Sequence, residues 1–170
     1  MSDCAIFGVI YMSIEWLQTD AKKRGIEKRA VLFVDDDEIL LESIEKSIVD
    51  EPYDKYFTTS GEDALEILKR EEVHVMVVDI VMPGMDGLEL LKIVKKEYPR
   101  IVSMVISGFA QSADVMMALQ KEGVYKFIPK KWTFDEDLRT VIRRAIDTYN
   151  LQREHEDMAA ELERCSTKAK

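Results

Sequence analysis

Polar side chains follow four short apolar runs in this chain, each at the point where the run ends. They are Asp35, Asp36 and Asp37 after the first run, and Asp79, Ser107 and Lys130 after three later ones. The carboxyl ends of parallel strands share one edge of a sheet, and ligands bind at that edge. We therefore expect these side chains to converge although they are far apart in sequence.

The residue types at this edge suit phosphoryl chemistry. Several carboxylates in one crevice repel each other unless a cation offsets their charge. Mg²⁺ is the expected ion, because it takes one or two carboxylates together with phosphate oxygens and waters. Lys130 offers a point charge for a phosphoryl oxygen, and Ser107 offers a hydroxyl donor. Asp79 could then act as a nucleophile and form an acyl phosphate, with metal and lysine stabilising the transferring group.

Each of these residues, taken alone, also has an ordinary structural interpretation. Residues 35–37 could cap the helix that follows them, and Asp79 could simply begin a loop. Ser107 could be a turn residue, and Lys130 beside Lys131 a solvated charge. Their shared position at the ends of successive apolar runs favours a functional site.

Alternating strands and helices position this edge. Apolar, β-branched runs predict strands at 30–34, 55–59, 73–78, 101–106 and 124–128, and helical spacing predicts helices at 38–50, 61–70, 88–97, 113–121 and 135–149. Unbroken apolar strands are typical of parallel strands buried on both faces. Right-handed crossovers then place helices on both sides of the sheet. The predicted fold class is α/β, a doubly wound, five-stranded parallel sheet.

Composition limits the function classes. The chain has 170 residues, 46% of them hydrophobic and 34% charged, and a net charge of −9. These fractions indicate a soluble globular protein, and the acidic balance argues against nonspecific nucleic-acid binding.

Cys4 and Cys165 are read as free thiols in a reducing cytoplasm. His74 and His155 are isolated in sequence, which argues against a zinc site.

Both ends of the chain extend beyond the predicted domain at residues 30–149. Residues 1–29 are expected to form a short helix and a basic linker; the apolar stretch Ala5–Leu17 is shorter than the ~20 residues that span a bilayer. A membrane-surface anchor remains the alternative for that stretch. Residues 150–170 continue the last helix with the spacing of a short coiled-coil seam, although a solvated helix would tolerate the same pattern. The seam residues are Leu151, His155, Met158, Leu162 and Cys165.

Four segments of the chain closely resemble the receiver domains of two-component response regulators. They are VLFVDDDEILLESI (31–44), VVDIVMPGMDGLELL (77–91), VISGFA (105–110) and YKFIPKKW (125–132). The resemblance implies a flavodoxin-like sheet with strand order 2-1-3-4-5. It implies Asp79 as the phosphoacceptor and Asp35 and Asp36 as the acidic pair, with Mg²⁺ bound by Asp36, Asp79 and the backbone carbonyl of Val81. Ser107 matches the switch hydroxyl, Lys130 the phosphate-contacting lysine and Phe127 the aromatic switch.

The resemblance also implies a partner and a response. A sensor histidine kinase would donate the phosphoryl group, and the domain itself would catalyse the transfer and later hydrolysis without being an enzyme in the usual sense. Phosphorylation would then reshape the face formed by the helix at 113–121, the fifth strand and the last helix. The output is either a stand-alone receiver acting through protein contacts, including a homodimer through the C-terminal helix, or the receiver part of a longer regulator with an effector domain.

The sequence departs from the family pattern at two places, and each departure leads to an expectation. Lys131 occupies the place of the usual proline, with Pro129 before Lys130, so a register with Lys131 as the active lysine is the alternative. Val81 and Phe109 lie two residues beyond the acceptor and the switch hydroxyl, at positions that tune hydrolysis in the family. Since neither can orient a water, we expect a long-lived phosphoryl group.

An aspartate-nucleophile phosphohydrolase is the rival from the enzyme class. Such enzymes typically place a general acid two residues after the nucleophile, where this chain has Val81. The sequence also offers no cap domain for substrate selection.

Overall fold

Five parallel strands form the centre of the computed structural model, in the order β2-β1-β3-β4-β5. The strands are β1 Ala30–Val34, β2 Asp54–Thr58, β3 Val75–Val78, β4 Val102–Ser107 and β5 Lys126–Pro129. The structure describes residues 29–108, 117, 120–130 and 136–168, with side chains in the last range described from 138 to 164. The predicted fold class and strand order are confirmed.

Four helices complete the described part of the fold. They are α1 Glu38–Ser47, α2 Gly61–Arg70, α3 Gly87–Glu97 and α4 Glu136–Lys168. The first three begin at capping side chains, Asp37, Ser60 and Asp86, each of which accepts a hydrogen bond from backbone N–H groups of the first turn. Residues 117, 120 and 121 are helical, and the rest of the helix predicted at 113–121 lies outside the described residues.

The sheet separates two hydrophobic clusters. One face of the sheet packs against α1 and α4 through Leu41, Ile44 and Ile142. The other face packs against α2 and α3 through Leu68 and Leu90. Every residue of β1 and β3 is buried, as expected for central strands covered on both faces.

One predicted helix end differs from the observed one. The helix predicted at 38–50 stops at Ser47, because Ile48 leaves the helical conformation with φ −115° and its N–H bonds back to Glu45 and Ile44. Ile48 is thereby fully buried, while Val49 is 65% exposed. The last helix continues through residue 149 to Lys168, over a stretch that contains neither Gly nor Pro.

Polar side-chain contacts fasten helix α4 to the body at several places. Arg143 forms a two-point ion pair with the buried Glu51, at 2.9 and 3.0 Å. Farther along, Arg29 Nε donates to Asn150 Oδ1 at 2.7 Å and the Arg29 guanidinium lies 5.2 Å from the centre of the Tyr149 ring. These contacts hold the first half of α4 against the sheet.

None of the described helices is both long enough and apolar enough to cross a bilayer. The helix predicted over Ala5–Leu17, its basic linker up to residue 28 and Cys4 lie outside the described residues.

Candidate functional site

Side chains from three strand ends meet at the carboxyl edge of the sheet. Asp35 follows β1, Asp79 follows β3 and Lys130 follows β5. The backbone ties these positions to their neighbours: Asp79 N donates to Val34 O at 2.9 Å, and Lys130 N donates to Ser107 O at 3.0 Å. These three strand ends therefore converge as the sequence predicts.

Lys130 bridges the two buried carboxylates of the site. Its Nζ lies 2.7 Å from Asp79 Oδ2 and 3.0 Å from Asp35 Oδ1. Burial by itself would lower the pKa of Lys130, but the hydrogen bonds and charges of Asp79 and Asp35 outweigh it, so the pKa is raised above its ordinary value. Lys130 is thus a fixed ammonium beside Asp79, at the position the sequence predicted.

Asp35 is a buried carboxylate whose hydrogen bonds all fall on one of its two oxygens, Oδ1, among the described residues. Its side chain is 1% exposed, and burial raises its pKa, partly offset by the Asp37 N–H and by Lys130. Oδ2 also lies 3.0 Å from Lys130 Nζ, but it has no hydrogen bond within the part of the chain that the structure describes. A buried carboxylate oxygen without a hydrogen-bond donor suits a cation ligand.

The three consecutive aspartates divide into two roles. Asp37 Oδ1 accepts from the N–H groups of Ile39 and Leu40, at 3.0 and 3.1 Å, so this residue is the cap of α1. Asp35 and Asp36 instead lie beside Asp79, and one ligand oxygen from each of these three carboxylates falls within 4.8 Å of the others. Asp36 is exposed, which leaves water access to the cluster. Three carboxylates against one lysine fit a hard divalent cation.

The loop after Asp79, residues 80–86, is closely tied to the acceptor; we call it the acceptor loop. Ile80 N donates to Asp79 Oδ1 at 2.7 Å, and Gly87 N donates to Ile80 O at 2.9 Å. A Cβ on Gly87 would lie 2.0 Å from Asp79 O, so only glycine fits there. Val81 lies in this loop with its side chain 54% exposed.

The predicted switch residues occupy the neighbouring strands. Ser107 is buried at the end of β4 and pairs with Pro129 across the ladder. Phe127 pairs with Val105 and packs, partly buried, on the cluster formed with α2 and α3. Phe109 and Lys131 lie outside the described residues. The roles predicted for Ser107, Phe127 and the Val81 carbonyl stay predictions.

Contacts between segments that are distant in sequence could not be predicted from the sequence pattern. Glu62 Oε1 accepts a hydrogen bond from Met85 N, in the acceptor loop, at 3.2 Å. Each partner sits in an unremarkable polar or loop stretch, so only the observed packing of α2 beside this loop reveals the pair.

Comparison with known proteins agrees with this arrangement. Residues 31–143 match the model of the response regulator receiver domain family. The hydrogenase transcriptional regulatory protein HoxA of Cupriavidus necator is 35% identical over 126 residues, which cover 74% of this chain and 26% of that protein. The chain spans 26–28% of the length of the curated relatives it matches.

Solved structures show the same fold. A CheY-like response regulator receiver domain protein from Methanospirillum hungatei superposes with a TM-score of 0.68 at 25% identity, covering 73% of this chain and 98% of that one. The beryllofluoride-activated NtrC4 receiver domain dimer gives a TM-score of 0.65 at 29% identity, covering 71% and 98%.

Proposed function

Because this chain belongs to the response regulator receiver domain family, we propose that Asp79 accepts a phosphoryl group from a sensor histidine kinase and thereby switches a protein-interaction surface. Receiver domains interact with histidine kinases and generally bind Mg²⁺, and the phosphoacceptor role of Asp79 is our assignment for this chain. The observation that carries it is the Lys130 ammonium, 2.7 Å from Asp79 Oδ2, beside a cluster of three carboxylates.

The proposed transfer uses each of these groups. A carboxylate oxygen of Asp79 attacks phosphorus, the phosphorus–nitrogen bond to the donor histidine breaks, and its electron pair stays on the imidazole nitrogen. Lys130 is already placed to neutralise a phosphoryl oxygen, because it contacts Asp79 before any transfer. Mg²⁺, held by Asp35, Asp36, Asp79 and the Val81 carbonyl, would supply further charge neutralisation on the transferring group.

The response to phosphorylation is proposed to run through the fifth strand. Ser107 would turn its hydroxyl toward the phosphoryl group and Phe127 would move inward, which changes the surface of β5 and α4. The half-buried state of Phe127 supports this, because a ring that is only partly buried against that cluster can bury more of its surface by moving inward. This surface would act either on a separate protein or on an effector domain of a longer regulator, and the matched relatives are longer than this chain.

A small phosphodonor tests the assignment. Acetyl phosphate and Mg²⁺ should add about 80 Da, one phosphoryl group, to the intact protein, as read by mass spectrometry. Asp79→Asn should abolish the gain, and chelation of the metal should suppress it. Multiple-turnover release of phosphate without a stable adduct would instead favour an aspartate-nucleophile phosphohydrolase. The same adduct, followed over time, tests its predicted long life: decay within seconds contradicts the expectation based on Val81.

A further inference from the structure

The first turn of α2 reaches across to the acceptor loop. Glu62 is an exposed residue of that turn, and its Oε1 accepts the backbone N–H of Met85 at 3.2 Å. The two residues are 23 positions apart in sequence. The contact therefore joins α2 directly to the acceptor loop.

The backbone on both sides leaves space for this contact. Gly84 has φ +75°, a conformation that favours glycine, and a Cβ there would lie 3.1 Å from Glu62 Oε1. A Cβ on Gly61 would lie 2.9 Å from the Met85 Cβ. The start of α2 and the acceptor loop thus fit against each other with glycine on each side.

The acceptor loop is connected directly to Asp79, so a movement of the loop would also move groups beside the acceptor. At the far end of the loop, Gly87 packs against the carbonyl of Asp79 and donates to Ile80 O. Between these fixed ends lies Val81, whose carbonyl is a proposed metal ligand. A backbone N–H held at Met85, four residues after Val81 in so short a loop, restricts the positions that Val81 can adopt.

We infer that Glu62 is a positioning residue, which holds the acceptor loop through Met85 in the conformation that binds Mg²⁺ beside Asp79. The inference rests on the proposed function, because it assigns Glu62 a part in the metal site of that function. Glu62 acts here as a hydrogen-bond acceptor and does not itself touch the metal or the phosphoryl group.

Three variants of the full chain separate this role from a general effect of charge. Glu62→Ala removes the acceptor, whereas Glu62→Gln keeps a carbonyl oxygen at the same reach and removes the charge. Glu66→Ala is the matched control, because Glu66 lies one turn later on the same helix and pairs there with Lys69. Mg²⁺ affinity is measured by titration calorimetry without a phosphodonor, and amide hydrogen exchange is followed at Met85.

The expected results follow from the loss of one hydrogen bond. Glu62→Ala should weaken Mg²⁺ binding by about three- to tenfold and speed Met85 exchange by a similar factor. Glu62→Gln should keep the Mg²⁺ affinity and the Met85 exchange rate close to their wild-type values, and Glu66→Ala should change neither quantity. Unchanged Mg²⁺ affinity in Glu62→Ala, or unchanged Met85 exchange, would overturn the inference. Because no phosphoryl transfer is involved, a failure of Asp79 to accept a phosphoryl group would be seen separately.

Discussion

At the scale of single residues, one ammonium holds two buried carboxylates together. Lys130 contacts both Asp35 and Asp79, and each of those side chains is almost inaccessible to water. Removing the lysine would leave two like charges facing each other and would take away the only side-chain cation the described residues bring to Asp79. The charge of Lys130 is therefore both a structural tie and the expected partner of a phosphoryl group.

We predict that Lys130→Met slows the phosphorylation of Asp79 by acetyl phosphate by a factor of about 100, a typical loss when one preorganised donor is removed. The rate is followed by intact-mass spectrometry at saturating Mg²⁺. Lys131→Met serves as the matched control, since it removes the same charge one residue away. A large loss in Lys131→Met with little change in Lys130→Met would show that Lys131 is the active lysine.

The sequence could predict this site because each polar residue ends an apolar run. That rule places Asp79 and Lys130 on one edge without any knowledge of distances. The same rule could not tell which of Asp35, Asp36 and Asp37 caps the helix and which belong to the acidic cluster, because all three follow the same strand. Glu62 was missed for a related reason: its partner is a backbone N–H, which every residue except proline carries.

At the scale of elements, α4 depends on a buried ion pair with the turn after α1. The Glu51 side chain is 1% exposed and the Arg143 side chain 28% exposed, and two nitrogens of the arginine meet two oxygens of the glutamate. A buried carboxylate that loses its partner is destabilising, because its charge stays away from water without compensation.

Arg143→Ala is therefore expected to lower the free energy of unfolding by about 3 kcal/mol. Chemical denaturation followed by circular dichroism measures the change. The neighbouring Arg144→Ala, on the exposed side of α4, should change stability by less than about 0.5 kcal/mol. Equal effects of the two substitutions would mean that the ion pair contributes nothing particular.

The boundaries of elements were less predictable than their existence. Apolar spacing continues to Ile48, so periodicity alone extends the first helix too far. The buried Glu51 explains the difference: the chain must turn at Ile48 to bring this carboxylate under Arg143, which is 92 residues away. No local pattern carries that information.

At the scale of the whole molecule, the sheet edge opposite the acceptor contains a buried histidine. His74 Nδ1 accepts the N–H of Ala30 at 3.0 Å, so the ring proton lies on Nε2, with Arg29 and Glu72 close by. Burial and then the charge of Arg29 lower the pKa of His74 from 6.5. The unfolded chain therefore takes up this proton at a higher pH than the folded protein does.

The expected consequence is a loss of stability as the pH falls through about 6.5, with the full contribution of neutral His74 present above that value. His74→Asn should show a shallower decline, because its Oδ1 can accept the Ala30 N–H and does not titrate. Denaturation at pH 8 and pH 5.5 gives both slopes. If the stability of both proteins falls equally between pH 8 and pH 5.5, His74 is not the cause of the loss.

The exposed end of α4 carries an apolar stripe. Leu151, Met158 and Leu162 are 57%, 54% and 73% exposed at the predicted seam spacing. We predict that beryllofluoride with Mg²⁺ favours a dimer, detected by light scattering, and that Leu162→Glu prevents it. Ala160→Glu adds the same charge away from the seam and should leave the dimer intact. A wild-type protein that stays monomeric contradicts the prediction.

The unbroken course of α4 has a mechanical consequence. Tyr149 is the last buried residue among those described on this helix, and from there to Lys168 the rod extends about 28 Å at 1.5 Å per residue. A tilt of only about 10° at the sheet would therefore carry the tip through about 5 Å. A small rearrangement beside Asp79 that tilts α4 would therefore displace the far end of the helix by much more than the part that lies against the sheet.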